Sequence, residues 1–115
     1  MARGTVIYHN PRCSTSRKTL EFLRDNGIEP EVVEYLKTPP SRAELSRMIR
    51  SAGIDVRAAV RKREALYAEL DLTDASDDQL LDAMAEHPIL IERPFVVTPK
   101  GTRLARPVDT VREVL

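Results

Sequence analysis

Apolar residues along this chain change their period several times, and the changes mark its organisation. Thr5-Val6-Ile7-Tyr8 is a compact run ended by Asn10-Pro11, which predicts a short buried strand. From about Ser14 to Asn26 the spacing becomes helical, with Thr19, Leu20 and Leu23 on one face and Asn26-Gly27 as a stop. Val32-Val33-Glu34-Tyr35-Leu36 then predicts a second strand. Strand, helix and strand in this order form a βαβ unit, which favours a parallel pair joined by a right-handed crossover.

Thr38-Pro39-Pro40 breaks that unit. Ser41-Arg42-Ala43-Glu44 is a capping box opening a helix with Leu45, Met48, Ile49 and Ala52 on one face and Gly53 at its end. Asp55 caps a short piece carrying Val56, Ala59 and Val60, and another helical piece runs from about Glu64 to Glu69. A second capping box, Ser76-Asp77-Asp78-Gln79, precedes Leu80, Leu81 and Met84, and His87-Pro88 closes that helix. Strand signals return at Phe95-Val96-Val97-Thr98. Pro99-Lys100-Gly101 is read as a turn and Thr102-Arg103-Leu104-Ala105 as the returning strand. Pro107 suits the first position of a last helix, with Val108, Val111 and Leu115 facing inward.

The order βαβ, helices, ββα predicts a single α/β domain over residues 1–115, with a helical insertion at about 41–88. It resembles the thioredoxin-like fold, a mixed four-stranded sheet with flanking helices. That resemblance places a reactive cysteine after the first strand and a cis-proline before the third, and Pro94 occupies the matching position.

Composition narrows the function. The chain has 115 residues, 42% of them apolar, enough for one domain with a modest core. Its formal net charge is zero, so nothing global favours nucleic acid or a membrane surface, and apolar runs are too short for a membrane span. One cysteine excludes an internal disulfide and fits the reducing cytoplasm. Met1 is followed by no apolar leader segment. His9 and His87 form no ligand-spaced motif with Cys13, so no metal site is expected. Of the 18 basic residues 14 are arginine, whose planar fork suits bidentate binding of oxyanions. Nothing in the apolar pattern requires an oligomer, and a monomer is expected.

The chemistry centres on Cys13, in His9-Asn10-Pro11-Arg12-Cys13-Ser14-Thr15-Ser16-Arg17. It lies where a strand hands over to a helix, and the free N–H groups of a helix start stabilise a thiolate. Arg12 and Arg17 flank it. Ser16 stands where a Cys-x-x-Cys motif would carry its resolving thiol, so any redox cycle must recruit a thiol from outside. A phosphatase-type Cys-x5-Arg cradle is excluded, because the required arginine position is Thr19.

This segment closely resembles the active-site segment of the glutaredoxin-linked arsenate reductases. The resemblance continues through Tyr35-Leu36-Lys37-Thr38-Pro39-Pro40, Arg57-Ala58-Ala59-Val60-Arg61-Lys62, His87-Pro88-Ile89-Leu90-Ile91-Glu92-Arg93-Pro94 and the stretch from Thr98 to Pro107, nearly the whole chain. It implies that Cys13 attacks arsenate and that Arg61, Arg93 and Arg106 hold the oxyanion. It gives His9 an auxiliary role favouring the thiolate, alongside Ser16 and Arg17. It further implies glutathione as co-substrate, glutaredoxin as a transient partner and no bound cofactor. Two alternatives stand beside this reading: a related thiol oxidoreductase acting on a different substrate, and a non-enzymatic thiol-sensing regulator that binds RNA polymerase.

Overall fold

The structure is a computed structural model and describes residues 4–115. Its sheet has four strands: β1 (Val6–His9), β2 (Glu31–Glu34), β3 (Phe95–Thr98) and β4 (Gly101–Leu104), in the spatial order β2-β1-β3-β4. β1 and β2 run parallel, joined by α1 (Ser14–Asp25), and β1–β3 and β3–β4 are antiparallel. The sheet is therefore mixed, and the chain has the thioredoxin-like architecture expected from the order of its elements.

β2 begins and ends earlier than the apolar run suggests. Its register pairs Glu31 with Val6 and Glu34 with His9, so the ladder stops where β1 stops. Tyr35 lies past the strand and turns into the core, while Val32, on this edge strand, is left partly in solvent. Between β2 and β3 come α2 (Arg42–Ala52), a 3-10 turn (Val56–Ala59), α3 (Ala65–Glu69), α4 (Asp77–Glu86) and a second 3-10 turn (Pro88–Leu90). Both capping boxes form: the Ser41 and Ser76 hydroxyls accept from the Glu44 and Gln79 N–H groups, and those side chains return to the cap N–H groups. Gly53 ends α2 at φ 71°, a left-handed conformation that costs glycine little.

The last helix departs from the expected form. Val108–Val114 is a 3-10 helix, and Pro107 caps it instead of occupying its first turn. Its buried residues are Val111 and Val114, three apart, where an α-helix would have buried Val108, Val111 and Leu115. The β-branched residues Val108, Thr110, Val111 and Val114 weaken an α-helix, and a spacing of three matches the tighter 3-10 turn.

Two clusters cover the sheet. Ile7 and Val96, paired across β1 and β3, point to one face and pack with Leu23, Ala105, Val111 and Val114. On the opposite face Tyr35, Leu45, Met48, Ile49, Leu80, Met84, Leu90 and Phe95 form the larger core. The antiparallel pairing of Tyr8 with Phe95 and of Phe95 with Leu104 sets the start of β3 and the end of β4 beside the C-terminal end of β1. Residues 9–13, 91–94 and 105–107 therefore meet at one end of the sheet, beyond the C-terminus of β1.

Candidate active site

Cys13 is the N-cap of α1, with extended backbone (φ −93°, ψ 122°) and a partly exposed side chain. The turn before it is fixed from within: the Cys13 N–H donates to the Asn10 carbonyl at 3.0 Å, and the Arg12 N–H to the Asn10 side chain at 2.9 Å. Burial pushes the Cys13 thiol up. The Ser16 N–H, the neighbouring Arg93 guanidinium and the charge of Arg106 outweigh it, so the thiol is held below its ordinary value.

Two of the three arginines named from the sequence reach the sulfur's surroundings. Arg106 directs Nη2 toward Cys13 Sγ at 3.7 Å, while its Nε donates to the Arg93 carbonyl at 2.8 Å. The Arg93 side chain is buried, with the residue only 7% exposed, and its Nε and Nη1 have no hydrogen-bond partner. Buried donors without partners are costly, and here they lie beside the nucleophile. The Arg93–Pro94 and Arg106–Pro107 bonds are both cis.

Arg61 is placed differently. Its Nε pairs with Glu64 at 3.1 Å and its Nη1 with Glu92 at 3.3 Å, and it makes no contact with Cys13. The backbone fixes this pairing. Val60 bridges Ile91 in antiparallel fashion, the Arg61 N–H donates to the Leu90 carbonyl at 2.7 Å, and the Glu92 N–H to the Ala59 carbonyl at 2.8 Å.

Ser16 is fully buried, and its hydroxyl is engaged by the loop before Cys13. Oγ lies 2.7 Å from His9 Nδ1 and accepts from the Asn10 N–H at 3.0 Å. Burial lowers the His9 pKa, outweighing the opposing pull of Glu34, which favours the neutral imidazole. Through Ser16, His9 fastens the loop. Arg17 stays off the sulfur. Its guanidinium is exposed and donates to the Pro11 carbonyl at 2.8 Å.

The sequence reading assigned no role to Glu92 or to the Tyr35 hydroxyl. Tyr35 is buried, with its hydroxyl 3.5 Å from the Ile91 carbonyl, and Arg93, Asn10, Cys13 and Arg61 all bear on its ionisation. Burial raises its pKa and keeps it a neutral phenol beneath the site. Glu92 sits next to Arg93 in the chain, but nothing in the linear pattern links it to Arg61, 31 residues away.

Beside the Cys13 loop lies a cleft of about 350 Å³, with Pro11, Leu36 and Ile89 as apolar walls and Arg12, Lys37 and Glu34 among its charged lining. Among the described residues, no three His, Cys, Asp or Glu side chains are grouped to hold a metal, and no helix is long and apolar enough to cross a membrane.

A family model described as the ArsC family matches residues 8–114. The arsenate reductase of Rhizobium meliloti (strain 1021) is 62% identical over 112 residues, spanning 96% of this chain and 80% of that protein. The Escherichia coli (strain K12) protein YfgD, which carries no named activity, is 45% identical over all of this chain and 99% of its own. A solved structure of the arsenate reductase from Vibrio cholerae superposes with a TM-score of 0.93 at 51% identity, covering the whole of both chains.

Proposed function

This chain belongs to the ArsC family, and from that membership we propose that it reduces arsenate to arsenite through the Cys13 thiolate. The observation that carries the reading is the convergence on one sulfur of three features. The thiol is acidified, Arg106 Nη2 stands 3.7 Å away, and Arg93 offers buried donors without partners. A thiolate attacking an anion meets like-charge repulsion, which adjacent guanidinium groups offset as charge builds in the adduct.

In the proposed cycle the Cys13 sulfur bonds to arsenic and one oxygen departs as water after taking up protons. A glutathione thiol then bonds to the same arsenic, releasing a second water. The glutaredoxin thiolate attacks the glutathionyl sulfur and forms an S–S bond. The arsenic–sulfur bond to glutathione breaks with its electron pair left on arsenic, which is thereby reduced. Hydrolysis of the remaining Cys13–arsenic bond frees arsenite and restores the thiolate. The outside thiols are required because position 16 carries a hydroxyl already committed to His9 and Asn10. The mixed-charge cleft along Pro11, Leu36 and Ile89 is the proposed approach for the thiol donor, in the cytoplasm, where glutathione is reduced.

The full-length match to YfgD, a relative of almost the same length with no named activity, supports a second reading, the same thiol chemistry on another substrate. Coupled turnover separates the two. Purified protein with arsenate, glutathione and glutaredoxin is expected to consume reductant in proportion to arsenate, and Cys13→Ser to abolish it. Absence of arsenate-dependent turnover where a proven reductase works would reject arsenate as the substrate.

A further inference from the structure

Glu92 occupies a position that the oxyanion reading leaves unexplained. One of its carboxylate oxygens, Oε1, lies 3.3 Å from Arg61 Nη1 and 3.6 Å from Arg106 Nε. It thus spans two of the three arginines proposed to hold the substrate. Its place is set by the backbone bridge that pairs residues 59–61 with 90–92, so it is built into the site. Charges alternate along one line of contacts: Glu64, Arg61, Glu92, Arg106, Cys13.

Because Glu92 Oε1 lies between Arg61 Nη1 and Arg106 Nε, an oxyanion held by both guanidinium groups is brought close to Glu92. A carboxylate only accepts hydrogen bonds. An oxygen approaching it must carry a proton, or two negative groups face each other in a partly buried site. Hydrogen arsenate and hydrogen phosphate each keep an O–H at neutral pH, whereas sulfate keeps none. We propose that Glu92 is a specificity-determining residue that accepts the hydrogen bond of a protonated oxyanion and excludes fully deprotonated ones. The proposal rests on the reading of Arg61 and Arg106 as oxyanion-holding residues. It assigns Arg61 a double task, holding Glu92 as well as facing the substrate.

The test needs no turnover. Phosphate and sulfate are compared at neutral pH for their protection of Cys13 against iodoacetamide. In the wild-type protein phosphate is expected to protect at far lower concentration than sulfate. Glu92→Gln keeps the shape and removes the charge, and should narrow that ratio roughly tenfold or more by tightening sulfate. Glu92→Asp keeps the charge and should keep most of the preference. Equal tightening of both anions in Glu92→Gln would reduce Glu92 to a general charge effect and overturn the proposal. So would a wild-type protein with no preference, a result that stands even if Glu92→Gln fails to fold. Failure of arsenate turnover with the preference intact would reject the reductase reading and leave this one standing.

Discussion

The Ser16 hydroxyl lies 2.7 Å from His9 Nδ1 and 3.0 Å from the Asn10 N–H, at the position where a resolving thiol would sit in a two-cysteine enzyme. Oγ accepts from the Asn10 N–H and shares a proton with Nδ1, so one hydroxyl ties the backbone of the loop to the imidazole. Ser16 is therefore part of the scaffold of the cysteine loop. Ser16→Ala should leave two buried groups unpaired and cost about 1–3 kcal/mol of stability. Ser16→Cys should not create an efficient internal disulfide with Cys13, since the side chain at position 16 points at His9. Urea unfolding and mass spectrometry under oxidising conditions check the two outcomes. A readily formed internal disulfide would show that the loop is free to turn the side chain over.

The acidity of Cys13 depends on groups that can be removed singly. The Ser16 N–H is backbone, but Arg93 and Arg106 are side chains, and both favour the thiolate. Arg93→Gln and Arg106→Gln should each move the pH profile of Cys13 alkylation upward. Arg17→Gln should leave it in place, since that guanidinium is turned to the Pro11 carbonyl. Arsenate turnover should fall by about 10²–10³-fold when either inner arginine is lost, the usual scale for a donor aimed at developing charge. A shift in Arg17→Gln equal to that in Arg106→Gln would mean that charge near the helix start, and not the inner pair, sets the thiol.

Arg93 should report anion binding through stability. Its Nε and Nη1 are buried without partners, and an oxyanion placed there satisfies them only in the folded state. Arsenate or phosphate at about 100 times its dissociation constant should raise stability by roughly 2.7 kcal/mol. The rise is expected as a thermal shift that Arg93→Met loses, even though Arg93→Met removes a buried charge and need not be less stable by itself. A full anion-induced shift in Arg93→Met would place the anion elsewhere.

The elements were legible where the local code is strong. Both capping boxes, the Gly53 stop and the β3–β4 turn are written within a few residues of their effect. The last helix misled because Val108, Val111 and Leu115 fit an α-helical face, whereas the choice of a 3-10 helix burying Val111 and Val114 depends on packing against Ile7, Leu23 and Val96. The same division holds at the site. Cys13 is visible from its place between strand and helix, and the resemblance supplied Arg93 and Arg106. That Arg61 is held by Glu64 and Glu92, and that the His9 pKa is lowered, depend on the 59–61 with 90–92 bridge and on burial, which no spacing in the chain encodes.

The pH dependence of stability follows from His9. Its folded-state pKa is lowered by burial, so the unfolded chain binds the proton more readily than the folded one. The resulting contribution to stability is fully present above the ordinary histidine value of about 6.5 and is lost as pH falls through the lowered folded value. His9→Asn removes the titrating group while keeping a polar side chain near Ser16. It should be less stable than wild type at pH 8, yet lose less stability between pH 8 and mildly acid conditions. Tm measured across that range gives the comparison, with His87→Asn as a control, since His87 is at the exposed end of α4 and far along the chain from the loop. Parallel curves for wild type and His9→Asn would show that protonated His9 is tolerated in the fold. The Ser16 hydroxyl would then accept from an imidazolium, and His9 would return to consideration as a cation acting on Cys13.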